Sequence, residues 1–174
     1  MHEDTRITQI IIAAITAACA VVIPVLFHLI GLGSIFLPMF IPLSIGSYFL
    51  TPLFALLTGT IAPLTSSLLT GMPPLYPPIA IIMMIELSLF CLVISVLKHK
   101  TNFTNYIIII MAIICDRIVL YVLYGIILPY FKISFALFGI YDLFKSFPGI
   151  ILLIIITPSA VNGLNSIITK NAGR

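Results

Sequence analysis

Charge is what this sequence has least of. Only 7 % of its 174 residues are Asp, Glu, Lys or Arg, against about 25 % in an ordinary soluble domain. None lies between Arg6 and Glu86. So few charges cannot cover a soluble exterior, while 61 % of the residues are hydrophobic and the mean hydropathy is +1.29. A net charge of +3 spread over loop ends gives no nucleic-acid footprint. Neither G-x-x-x-x-G-K-[ST] nor G-x-G-x-x-G occurs, so no loop of these types cradles a nucleotide phosphate. No His or Cys pair has metal-ligand spacing, and neither a metal nor a cofactor is expected. The three cysteines (Cys19, Cys91, Cys115) sit in apolar runs and read as small hydrophobes. The first apolar run, 7–30, is longer than the core of a signal peptide, and both acidic and basic residues precede it.

What is present is a series of long apolar runs. One crossing of a bilayer takes about 20 apolar residues. In lipid the backbone must satisfy its own polar groups, which leaves helices or a closed barrel. The runs are solid rather than alternating, as at 107–110 and 150–156, so helices are expected. The reading is an all-α, polytopic bundle of six transmembrane helices in a single domain, at about 7–30, 35–50, 52–69, 77–97, 105–128 and 148–169. The second is short and holds Pro38 and Pro42, so the second and third could be partly re-entrant. The stretch 129–147 reads as a long connection carrying Lys132, Asp142 and Lys145. Six crossings put Arg6, Lys98, Lys100, Lys170 and Arg174 on one side, and Lys132 and Lys145 on the other. The positive-inside rule then places both termini in the cytoplasm of a multi-pass cell-membrane protein.

Residues that break the apolar pattern are the candidates for function. Glu86 in the fourth span, and Asp116 and Arg117 in the fifth, lie near mid-depth, where a charge costs about 2.5–3.5 kcal/mol on insertion scales. Such residues face a partner or a wet cavity. The fourth and fifth spans are joined by a short connection, so a Glu86–Arg117 ion pair is expected, either structural or part of a ligand site. Asp116 lies about 100° round the helix from Arg117. Prolines cluster at 38, 42, 73, 74, 77 and 78, on the outer half. Proline breaks the helical ladder and is tolerated in hydrocarbon where protein or water satisfies the freed carbonyls. Met39, Phe40, Ser66, Ser67, Thr70, Met72 and Tyr76 lie among them and supply hydroxyls and an adaptable apolar surface. Ala13 with Ala17, and Ala14 with Ala18, form small-residue stripes that let helices approach closely, within the protein or between proteins.

Enzyme constellations are mostly missing. There is no H-E-x-x-H, and Ser66 and Ser67 have no evident base. Asp116 and Asp142 could be the pair of a membrane aspartic protease, but Arg117 beside Asp116 favours its ionised form.

The stretches 37–42 (Leu-Pro-Met-Phe-Ile-Pro), 62–77 with its Thr-Gly-Met-Pro-Pro block, 84–87 (Met-Ile-Glu-Leu), Asp116-Arg117 and 147–151 (Phe-Pro-Gly-Ile-Ile) together resemble the substrate-binding S component of an energy-coupling factor transporter. The likeness runs from Ala13 to Pro158. Relatives often carry His where Phe40 stands, and Gly where Asp116 stands. The resemblance implies a six-helix bundle that captures a vitamin or similar micronutrient from outside. It also implies a transmembrane coupling subunit and two cytoplasmic ATPase subunits as partners, with the alanine stripe as the docking surface. The site it implies is Arg117, Glu86 and Asp116 for polar groups, with Met39, Phe40, Ser67, Thr70, Met72 and Tyr76 around them, under a lid formed by 129–147. The rival readings are a proton-coupled secondary transporter, a small membrane enzyme and a ligand-free scaffold.

Overall fold

The structure is a computed structural model. It describes residues 2–29, 31, 33–76, 78–130 and 135–172, the side chains of 2–4, 34, 130, 135–143, 171 and 172 excepted. Seven helical segments and no strand occur among the described residues: α1 (His2–Leu29), α2 (Gly33–Phe36), α3 (Phe40–Ser47), α4 (Pro52–Thr70), α5 (Ile79–Lys100), α6 (Asn105–Tyr130) and α7 (Phe135–Ala172). Five of them are long and apolar enough to cross a membrane, over Thr5–Leu29, Pro52–Thr70, Ile79–Lys100, Asn105–Pro129 and Phe144–Lys170.

The helices follow from their composition. Several hydroxyls are spent inside the helix: Ser47 Oγ donates to the Leu43 carbonyl (2.7 Å), Thr58 Oγ1 to that of Phe54 (2.7 Å) and Ser88 Oγ to that of Ile85 (2.8 Å). Polar side chains satisfied this way can sit in hydrocarbon. Pro52 opens α4 at a position whose N–H has no helical acceptor, and Gly71 closes it in the left-handed conformation (φ 73°). The outer face is apolar, with Ile11, Ile15, Val22, Leu53, Leu68, Ile118, Val122 and Ile155 exposed. The core lies between α3, α4, α5, α6 and α7, around Leu43, Phe90, Ile94, Ile108, Leu153 and Val161.

The stretch expected as the second span is not one helix. It is a single turn, α2, and a two-turn helix, α3, separated at Leu37–Met39, where Leu37 takes a positive φ of 49°. At eight residues α3 is about 12 Å long, too short to cross a bilayer by itself. Pro38 cannot donate into a helical ladder, and the residue before a proline is driven off the α region, so the break belongs to the sequence. Even so, 33–50 runs the height of the bundle. At one end Gly33 packs on the His28 ring. At the other, the Gln9 side chain donates to the Phe49 carbonyl (3.0 Å) and accepts from the Thr51 N–H (2.7 Å), while Ser95 Oγ donates to the Leu50 carbonyl (2.6 Å). Gln9 and His28 are about 28 Å apart along α1. At this same end Tyr48 donates to the Asn105 carbonyl (2.8 Å) and Asn105 to Asn162 (2.7 Å), so the start of α6 and the second half of α7 meet at the end of the bundle where α1 starts.

The connection expected at 129–147 is a second departure. α6 runs through Pro129 to Tyr130, and α7 begins at Phe135 and continues through Pro148 and Pro158. Residues 144–147 are therefore helix rather than loop, while Lys132 and the Asp142 side chain lie outside the described residues.

Two glycines set how closely the helices approach. A Cβ on Gly59 of α4 would stand 2.5 Å from the Leu87 carbonyl oxygen of α5. One on Gly149 of α7 would stand 2.8 Å from the Ile35 carbonyl oxygen of α2. These are backbone contacts, which cannot swing away. Gly59→Val is expected to cost about 1–3 kcal/mol by overpacking. Gly125→Ala, where a Cβ meets nothing within 4 Å, should instead stabilise by roughly 0.5–1 kcal/mol. Thermal unfolding of the two variants in detergent micelles checks both signs.

Candidate functional site

The Gly59 contact fixes the rotation of α5. The backbone of Leu87 and Ser88 lies against Gly59 of α4, and Glu86, about 100° round the helix from Leu87, faces Arg117 of α6. Glu86 lies about 10 Å along α5 from its start, and Arg117 about 18 Å along α6. The expected ion pair is made: Arg117 Nη2 stands 3.1 Å from Glu86 Oε1. Asp116 reaches round the helix and shares that nitrogen. Its Oδ2 accepts from Arg117 Nε at 3.0 Å and from Nη2 at 2.7 Å. Nη1 points toward Ser146 Oγ on α7 at 3.5 Å, at the outer edge of a hydrogen bond. The side chains of Arg117, Glu86 and Asp116 are only 13 %, 6 % and 2 % exposed, so one guanidinium holds two carboxylates in a low-dielectric interior.

Arg117 and Glu86 form part of the wall of a cavity of about 390 Å³. That lies within the range of ~300–1,000 Å³ usual for small-molecule sites. Pro24 and His28 of α1 line one side. Gly33 and the broken segment 37–40, Met39 and Phe40 included, line the next. Phe40 is held edge-on against Phe90, with ring centroids 5.2 Å apart and planes at 62°. Ile79, Met83 and Glu86 come from α5, Arg117 and Tyr124 from α6, and Lys145 from α7. Ser66, Met72, Pro73 and Pro74 complete the lining from the end of α4 and the loop after it.

That loop is fastened at both ends. Ser66 Oγ donates to the Met72 carbonyl (2.7 Å), the Thr70 hydroxyl donates to the Ser66 carbonyl (2.7 Å), and the Ala80 N–H bonds the Pro74 carbonyl (3.1 Å). Of the residues expected from sequence, Arg117, Glu86, Met39, Phe40 and Met72 therefore meet at one cavity. Asp116 stands behind Arg117. Thr70 is exposed and pins the loop, and Tyr76 is exposed at its far side. Ser67 is turned into protein, its hydroxyl buried without a hydrogen-bond partner among the described residues, while Ser66 takes the wall position. His28, Met83, Tyr124 and Lys145 were not expected. Lys145 belongs here because α7 begins before Pro148, and the Phe135–Ile140 apolar run was the available signal.

The alanine stripe divides in two. Ala13 and Ala17 are half-buried against the core, and Ala14 and Ala18 are exposed. A second, surface groove of about 450 Å³ runs between α1 and α7 over α3, lined mainly by apolar residues such as Ile12, Ile45, Phe49 and Leu164. Among the described residues no three His, Cys, Asp or Glu side chains cluster as a metal site. No family model, curated protein or solved structure matches the chain.

Removing Arg117 alone leaves two carboxylates facing each other in a dry interior. Arg117→Met should therefore destabilise by about 3–5 kcal/mol, and adding Glu86→Gln and Asp116→Asn should recover most of the loss. Thermal unfolding of the single and triple variants checks this.

Proposed function

We propose that the chain is the membrane-embedded solute-binding subunit of an ATP-driven micronutrient importer of the energy-coupling-factor type. The cavity carries this reading. It lies toward one end of the bundle, walled by Arg117 and Glu86 and by a fastened proline loop, with about 390 Å³ inside. A purely structural ion pair needs no cavity beside it. In the proposed topology, 33–50 counts as a broken sixth crossing. Arg6, Lys98, Lys100 and Lys170 then share the cytoplasmic end, and Lys145 and the cavity mouth face outward. A small polar solute enters from outside, its polar groups meet Arg117 and Glu86, and its apolar part packs on Met39, Phe40, Met72 and Met83.

The chain contains no nucleotide-phosphate motif, so energy for uptake comes from partners: a transmembrane coupling subunit and two cytoplasmic ATPase subunits. The exposed Ala14 and Ala18 of α1 offer a face where a partner helix approaches closely. Glu86 and Asp116 are also the carboxylates a proton-coupled carrier would use, which makes secondary transport the second reading.

Affinity purification from native membranes in mild detergent separates the two. ATPase activity should co-purify with the wild-type chain and be lost from a folded Ala14→Trp, Ala18→Trp double variant. If no ATPase activity accompanies the wild type, and the chain alone accumulates solute in liposomes under a pH gradient, the importer reading falls and the carrier reading replaces it.

A further inference from the structure

The make-up of the cavity wall bears on the body of the solute, given the solute-binding reading above. Apolar surface elsewhere in this chain is built from Ile and Leu. In the surface groove between α1 and α7, seven of the twelve lining residues are Ile or Leu and none is Met. The cavity differs. Among the described residues its wall holds a single Leu and a single Ile, Leu37 and Ile79. It holds instead three of the chain's six methionines, Met39, Met72 and Met83. Four of the twelve prolines join them: Pro24, Pro38, Pro73 and Pro74.

The thioethers come from three separate elements: Met39 from the break before α3, Met72 from the loop after α4 and Met83 from α5. The prolines come from α1, from that break and from that loop. Both groups therefore approach the space from several sides. Ile or Leu would serve as well for a merely apolar solute. A thioether differs in being polarizable and attracted to aromatic rings. Proline offers a rigid ring that packs on aromatic faces, as when proline-rich segments dock into aromatic grooves. Phe40, held against Phe90 with centroids 5.2 Å apart, adds an aromatic wall to which a further ring packs offset or edge-on.

We infer that the solute carries a planar aromatic ring system, held among Met39, Met83 and the proline loop, with its polar group toward Arg117 and Glu86. The volume of about 390 Å³ corresponds to roughly a dozen waters at ~30 Å³ each, which suits one ring or two fused rings. A saturated ring of the same size fills the space but lacks the π-system that the thioethers and prolines meet.

Three pairs of probes test this against the full chain in nanodiscs: 3-phenylpropanoate, 3-phenylpropylamine and 3-phenylpropanamide, each beside its cyclohexyl counterpart. The head is the same within a pair, so any preference for charge cancels. Cyclohexyl is the more apolar ring, so partition into lipid alone would favour it. Dissociation constants follow from the rise in melting temperature with probe concentration. In every pair that binds, the phenyl member should bind roughly 2–10-fold tighter. The volume-conserving Met39→Leu, Met83→Leu double variant should bring the pair to parity. If that variant does not fold, Met72→Leu in the exposed loop should narrow the difference. A cyclohexyl member that binds as tightly as its partner, or a phenyl preference untouched by the methionine changes, overturns the aromatic inference and leaves the solute-binding reading standing. No rise with any of the six probes overturns both.

Discussion

A guanidinium held between two carboxylates inside an apolar bundle is the constraint on which the rest of this structure depends. Arg117 cannot be left bare at that depth, so Asp116 from its own helix and Glu86 from α5 are drawn to it. That requirement joins α5 to α6. It also places Arg117 and Glu86 on the wall of a cavity lined with prolines and methionines, with Asp116 behind them. Replacement of such a cluster by apolar residues of similar volume is often neutral or favourable, so stability alone does not account for it. Its position on a cavity wall gives it a use.

The cavity lies beside the break in the segment 33–50. No continuous helix forms there. Instead the chain turns at Leu37–Met39, and the backbone of α2 lies against Gly149 of α7. The close approach at Gly59 does the same for α4 and α5 on the other side. Hydrogen bonds around Gln9, Leu50, Ser95, Asn105 and Asn162 tie the far end of the bundle together. The cavity end is held by the shorter ties of the proline loop and by the ion cluster.

Much of this was legible in the sequence because the bilayer makes its demands plainly. Long apolar runs can only be helices there, and Glu86 and Arg117 stand out in them for the same reason. What was not legible depends on rotation and continuity. Ser66 and Ser67 are neighbours, and the rotation of α4 in the bundle determines which of them faces the cavity. Pro148 looks like a helix start, yet α7 continues through it, which carries Lys145 from an expected loop to the cavity wall. The second run is apolar enough to be a span, but Leu37 at φ 49° before Pro38 interrupts it. His28 lines the cavity although nothing in its neighbourhood marks it.

The central claim is that the space beside Arg117 and Glu86 holds a solute. Native mass spectrometry tests it most directly, on protein purified from its own cell membranes, wild type beside Met83→Trp. That substitution fills the cavity while leaving the ion cluster in place. The account predicts a small-molecule adduct on the wild type that is missing from Met83→Trp. A wild type without an adduct, or an adduct that survives in Met83→Trp, would contradict it.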